Sequence, residues 1–76
     1  MPKDSTAALL KAVGTRVRDA RRVAGFTQET AAARAGIDYK RYQRIEQGTV
    51  NVTVKTLARV AEALGTDLWT MLGQHR

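Results

Sequence analysis

The chain has 76 residues, of which 43% are hydrophobic and 26% are charged, and it contains no cysteine. That length suits a single core, so residues 1–76 are expected to form one domain. The composition excludes disulfides and thiolate metal sites. No apolar run is longer than four residues, which excludes a membrane-spanning segment.

The net charge indicates the kind of partner. Thirteen Lys and Arg residues against seven Asp and Glu residues give a formal charge of +6. A small basic domain most often binds a polyanion, with nucleic acid ahead of an acidic membrane surface. Solubility alone is the alternative that net charge leaves open.

Glycines and capping residues divide the chain into five predicted helices, at about 5–24, 28–35, 39–47, 54–64 and 68–72. Glycine follows each helix, at the position where left-handed backbone is needed, in residues 25, 36, 48, 65 and 73. Good N-cap residues precede four of them: Thr27, Asp38, Thr53 and Asp67. No segment alternates as a strand would. The fold is therefore predicted to be all-α, with loose ends at residues 1–4 and 74–76.

The first helix has an apolar stripe at helical spacing, formed by Leu10, Val13, Val17, Ala20 and Ala24. Gly14 lies inside this helix and is expected to cost about 1 kcal/mol relative to alanine. Three arginines (Arg16, Arg18 and Arg22) are expected to form a solvated face that adds long-range attraction for a polyanion.

The second and third helices are short and are joined by a glycine-containing turn, so residues 27–48 have the form of a helix-turn-helix motif. On the third helix, Tyr42 and Ile45 share the predicted inward side, while the opposite side carries long hydrogen-bonding side chains and no carboxylate. Such a face suits the acceptors on base edges and phosphates in the major groove of DNA.

The fourth helix has a second apolar stripe, formed by Val54, Leu57, Val60, Ala61 and Leu64. The short fifth helix carries Trp69 and Leu72. Tryptophan is enriched at interface hot spots, so these two residues are predicted to form a dimer interface. Packing of Trp69 in the core is the alternative.

The segment RVRDARRVAGFTQETAAARAGIDYKRYQRIEQG, followed by NVTVKTLARVAEALG, resembles the lambda-repressor/Cro-like (Xre-type) helix-turn-helix DNA-binding family. The resemblance runs from about residue 13 to residue 72 and implies a compact five-helix lambda-repressor-like domain. Ala20 and Ala31 stand where the family more often has leucine, and Tyr42 stands where it often has isoleucine.

The resemblance also implies roles for individual residues. Those expected to contact bases are Tyr39, Lys40, Gln43 and Arg44. Those expected to contact phosphates are Thr27, Gln28, Arg41, Gln47, Thr53 and Lys55. Arg21 and Glu46 match a pair that forms a structural salt bridge in this family.

The sequence thus predicts a transcriptional regulator that binds a near-palindromic operator in double-stranded DNA as a homodimer, in the cytoplasm. The alternative is a protein-interaction module, such as an antitoxin, for which DNA binding is secondary; a toxin or RNA polymerase is a possible protein partner. No catalytic residues, metal, cofactor, small-molecule ligand or membrane is expected, because the chain has no nucleophile–base pair, metal cluster or phosphate loop.

Overall fold

The computed structural model describes residues 5–73, which form five α-helices and no strand. The helices are α1 (Ser5–Ala24), α2 (Gln28–Ala35), α3 (Tyr39–Gln47), α4 (Val54–Ala63) and α5 (Leu68–Gly73). The all-α prediction is confirmed, with α4 ending one residue earlier and α5 one residue later than predicted. The expectation of loose ends concerns residues 1–4 and 74–76, which lie outside the described residues. None of the five helices combines the length and hydropathy needed to cross a membrane.

Local capping explains why the helices begin where they do. The hydroxyl oxygens of Thr27 and Thr53 accept hydrogen bonds from the backbone N–H groups of Thr30 and Thr56, at 3.1 and 3.0 Å. Each cap satisfies one N–H group that has no partner within its helix. The prediction for Gly73 was wrong: it is the last residue of α5, and it is not among the described glycines with positive φ.

Gly14 allows α1 to lie directly against α3. A Cβ atom at this position would meet the backbone carbonyl oxygens of Glu46 and of Ile45, the latter at 2.7 Å. Neither contact can be relieved by moving a flexible side chain, because both atoms belong to the backbone. The expectation that Gly14 only weakens its helix was therefore incomplete, since the glycine is what permits this approach.

The core lies where α1 packs on α3, α2 packs on α4, and α5 closes over α1 and α4. Its largest fully buried side chains are Tyr42, Ile45, Val17 and Val60. Ala31 belongs to the same core, so the large Tyr42 and this small residue are buried together. Val54 was assigned to the apolar stripe of α4, but the residue is 70% exposed and does not belong to the core.

Candidate nucleic-acid interface

The turn between α2 and α3 fixes the angle between the two helices. Gly36 adopts left-handed backbone, with φ 69°, and the next N–H group, that of Ile37, donates to the carbonyl oxygen of Ala32 at 2.9 Å. Asp38 then begins α3 by accepting hydrogen bonds from the N–H groups of Lys40 and Arg41. Two short helices are thus held by a turn of three residues, 36–38.

The outward face of α3 is basic because the single acid of this helix points inward. Tyr42, Ile45 and Glu46 are buried. The side chains exposed to solvent belong to Lys40, Arg41, Arg44, Gln47 and, at 39% exposure, Tyr39; Gln43 is half-buried. Within residues 5–73, the three cations of this face form no ion pair. The face therefore offers hydrogen-bond donors and positive charge that are not already neutralised.

Arg21 and Glu46 form the ion pair that the family resemblance implies. The Nε atom of Arg21 donates to Oε2 of Glu46 at 2.6 Å, and its Nη2 atom donates to Oε1 at 3.2 Å. Its Nη1 atom donates to the carbonyl oxygen of Phe26 at 3.0 Å. Such paired arginine–carboxylate bonds fix orientation as well as distance, so α1, the loop before α2, and the end of α3 are held in one arrangement.

Glu46 has two further donors that sequence reasoning missed. The hydroxyl of Tyr42 donates to Oε2 at 2.7 Å, and Nε2 of Gln28 donates to Oε1 at 3.0 Å. The tyrosine was detectable in principle, since residues four apart share a helix face. The glutamine was not, because it lies 18 residues away in sequence, on another helix.

These contacts determine the ionisation of the cluster. Burial tends to raise the pKa of Glu46, but hydrogen bonds from Arg21, Tyr42 and Gln28 together hold the pKa below its ordinary value. Burial, with the hydrogen bond to Glu46, raises the pKa of the Tyr42 hydroxyl. The hydrogen bond with Glu46 also raises the pKa of Arg21. At neutral pH the cluster therefore contains an anion, a neutral phenol and a cation.

A chain of polar side chains leads from this cluster to the outward face of α3. Oε1 of Gln28 accepts a hydrogen bond from Nε2 of Gln43 at 3.4 Å, and the same Nε2 atom donates to the hydroxyl of Tyr39 at 3.2 Å. Gln28 is thus already bonded to two side chains and is held in place, rather than extending freely as a phosphate contact. An amide has two N–H donors, and only one of those on Gln28 is used in these bonds.

Of the other predicted phosphate contacts, Arg41 and Gln47 lie on the outward face of α3, and the remaining three lie at helix starts. Thr27 and Thr53 are exposed, but each hydroxyl is used within its own cap, where it also donates to the hydroxyl of Thr30 or Thr56 at 3.0 Å. Lys55 is exposed in the first turn of α4. Within residues 5–73, Thr27, Thr53 and Lys55 form no hydrogen bond or ion pair with one another or with the outward face of α3, so they are separate surface positions.

The predicted dimer residues border an apolar groove. Trp69 is 87% exposed and Leu72 is half-buried, so the alternative of Trp69 as a core residue was wrong. The groove has a volume of about 400 Å³ and is lined by Val54, Leu68, Trp69, Leu72 and Gly73. An exposed tryptophan beside an apolar groove is typical of a surface that another molecule covers.

The short α2, the tight turn and the basic outward face of α3 define a helix-turn-helix domain. Comparison with known proteins agrees. The helix-turn-helix family model HTH_3 matches residues 17–68. The chain is 42% identical over 57 residues to the uncharacterized HTH-type transcriptional regulator y4dJ of Sinorhizobium fredii, covering 75% of this chain and 74% of that protein.

A solved structure has the same arrangement of helices. The clp gene regulator ClgR from C. glutamicum matches with a TM-score of 0.81 and 28% sequence identity, over 84% of this chain and 82% of that chain. The chain belongs to the lambda-repressor-like (Xre-type) helix-turn-helix family of DNA-binding transcriptional regulators.

Proposed function

We propose that this protein is a sequence-specific regulator of the repressor or controller type, which acts on DNA in the cytoplasm and places α3 in the major groove of a near-palindromic operator. The observation that carries the proposal is the acid-free outward face of α3, whose three cations are exposed while Glu46 is buried. A helix fits the major groove, where bases and phosphates present acceptors to such donors.

Base contacts are assigned to the residues on this face that match the recognition-helix positions implied by the family resemblance: Tyr39, Lys40, Gln43 and Arg44. Arg44 is the strongest candidate, because its guanidinium is exposed and has no ion-pair partner within residues 5–73. Arginine binds guanine through paired hydrogen bonds to O6 and N7. The hydroxyl of Tyr39 accepts a hydrogen bond from Gln43, which fixes its position in the absence of DNA.

Phosphate contacts are assigned to Thr27, Gln28, Arg41, Gln47, Thr53 and Lys55. At the start of α2, the backbone N–H groups and the helix dipole favour an anion, and the Gln28 side chain is fixed beside them by Glu46. The hydroxyls of Thr27 and Thr53 already cap their helices. Phosphate binding at these two positions therefore also uses the neighbouring backbone N–H groups.

A homodimer is part of the proposal. A single small module covers only about 600–1,000 Å² of DNA-facing surface, so two copies are needed for high specificity. The apolar groove beside Trp69 offers a surface for the second copy, and two-fold symmetry places half-sites about 34–36 Å apart. A toxin or RNA polymerase on the same groove is the alternative that a protein-interaction module requires.

The proposal is tested by selecting binding sites from random duplex DNA with the full chain. We expect a near-palindromic consensus. With Arg44→Ala, the preference at one position of each half-site should be lost, with a cost of about 1–3 kcal/mol on the consensus site. Lys55→Ala is the matched control and should weaken all sequences alike. A selection that recovers no consensus would contradict sequence-specific binding.

A further inference from the structure

We propose that Arg18 of α1 is an additional phosphate-binding residue, which extends the DNA contact from the helix-turn-helix motif onto the first helix. The inference rests on the proposed DNA binding and adds a residue outside α2, α3 and α4. Arg18 lies on the side of α1 that faces α3, where its side chain and that of Gln28, the first residue of α2, both approach the carboxylate of Glu46.

Arg18 and Gln28 both lie close to the carboxylate of Glu46, and this defines where Arg18 is. Its Nε atom lies 4.0 Å from Oε1 of Glu46, and Nε2 of Gln28 lies 3.0 Å from the same oxygen. The two nitrogens are therefore no further apart than the sum of these distances. A phosphate bound at the start of α2, or the next phosphate along the strand, comes within reach of a long arginine side chain there.

The charge of Arg18 is available because Glu46 is already satisfied. Arg21 binds the carboxylate at 2.6 and 3.2 Å, and Tyr42 and Gln28 complete its hydrogen bonds. Arg18 approaches only to 4.0 Å, and its side chain is 40% exposed. Two guanidinium groups thus face one carboxylate, which leaves a net positive charge where the phosphate would lie.

A matched control lies on the same helix. At 100° per residue, Arg18 is about 40° from Gly14, which abuts α3, whereas Arg16 is about 160° from Arg18. Arg16 borders a different groove, next to the turn between α4 and α5. Replacing either arginine with glutamine removes one positive charge from α1, but only Arg18 lies on the side next to Gln28.

The experiment measures DNA affinity across a range of salt concentrations for the wild type, Arg18→Gln and Arg16→Gln, on the consensus duplex and on an unrelated duplex. Arg18→Gln should weaken binding to both duplexes by a similar factor. It should also reduce the slope of log K against log salt by about one, as expected when one phosphate contact is lost. Arg16→Gln should leave the slope unchanged, and Arg18→Lys should restore it.

Equal effects of Arg18→Gln and Arg16→Gln would overturn the inference, because net charge would then explain both. A fall in thermal stability for Arg18→Gln as large as that for Arg21→Gln would also overturn it, since Arg18 would then act on the fold. The salt dependence of wild-type binding is measured first. If wild-type affinity does not depend on salt, the proposed DNA binding itself is contradicted, whatever the variants do.

Discussion

At the scale of single residues, Glu46 joins three helices through one buried carboxylate. Its donors are Arg21 from α1, Gln28 from α2 and Tyr42 from its own helix. A buried carboxylate is costly unless such donors surround it, and here they do, with Glu46 only 3% exposed. Because Glu46 points inward, the outward face of α3 carries no acid. The hydrogen bonds of Glu46 also fix the angle of α3.

The lowered pKa of Glu46 predicts a pH dependence of stability. Its folded pKa lies below the ordinary value of 4.5, so its contribution is present at neutral pH and is lost as the pH falls through the folded pKa. Stability should therefore decline as the pH drops below about 4.5. Glu46→Gln should cost about 3 kcal/mol at pH 7, since it leaves Arg21 without its carboxylate, and should show a shallower decline in acid.

Urea unfolding measured between neutral pH and pH 3 checks this prediction. Asp67→Asn is the control, because hydrogen bonds from the backbone and side chain of Thr70 also lower the pKa of Asp67, at an exposed helix cap. Its removal should change the acid slope less than Glu46→Gln does. If Glu46→Gln and the wild type lose stability in parallel, the carboxylate is not the group that titrates.

At the scale of secondary structure, the helix bounds could be predicted from the sequence because each cap depends on a few neighbouring residues. Thr27 and Asp38 bond to N–H groups two or three residues further on, and Gly36 and Gly48 end their helices by local backbone geometry. The ion pair between Arg21 and Glu46 was found only through the family resemblance. The bond from Gln28 to Glu46 has no local signal, since it depends on how α2 and α3 are oriented.

Gly14 provides a test of the packing of α1 on α3. Helix propensity alone predicts that Gly14→Ala stabilises the protein by about 1 kcal/mol. The contact with the carbonyl oxygens of Ile45 and Glu46 predicts the opposite, since the added methyl group has to separate the two helices. We expect Gly14→Ala to lower the free energy of unfolding by about 1–3 kcal/mol, as measured by urea denaturation.

The neighbouring Thr15 supplies the control for this substitution. Thr15 is exposed, and its hydroxyl donates to the carbonyl oxygen of Lys11 within α1. Thr15→Ala also increases helix propensity but adds nothing to the contact with α3, so it should be neutral or stabilising by a few tenths of a kcal/mol. Stabilisation by both substitutions would mean that α1 and α3 are not in close contact at Gly14.

At the scale of the whole molecule, residues 5–73 present a basic surface and an apolar surface of different character. One is the basic outward face of α3, and the other is the apolar groove that includes Val54 and Trp69. Periodicity placed Val54 in the core stripe of α4, because a sequence pattern shows which residues share a face but not whether another helix covers it. The exposed Val54 and the exposed Trp69 instead belong to one surface.

Trp69 tests whether this groove binds a second copy. Trp69→Lys should leave the folded monomer intact, since the side chain is 87% exposed, and should shift the sedimentation coefficient from that of a dimer to that of a monomer. Affinity for a two-site operator should fall, because the two half-sites would no longer be bound by linked copies. Affinity for an isolated half-site should stay the same, because α3 is unchanged.

Val23→Lys is the matched control for this substitution, because Val23 is also a large apolar residue, 90% exposed, but lies on α1 away from the groove. Val23→Lys adds the same charge and should leave both the sedimentation coefficient and the affinity for the two-site operator unchanged. If Trp69→Lys behaves like Val23→Lys, the groove does not hold a second copy. The wild type would then bind a palindrome as independent monomers, and the exposed tryptophan would belong to an interface with a different protein.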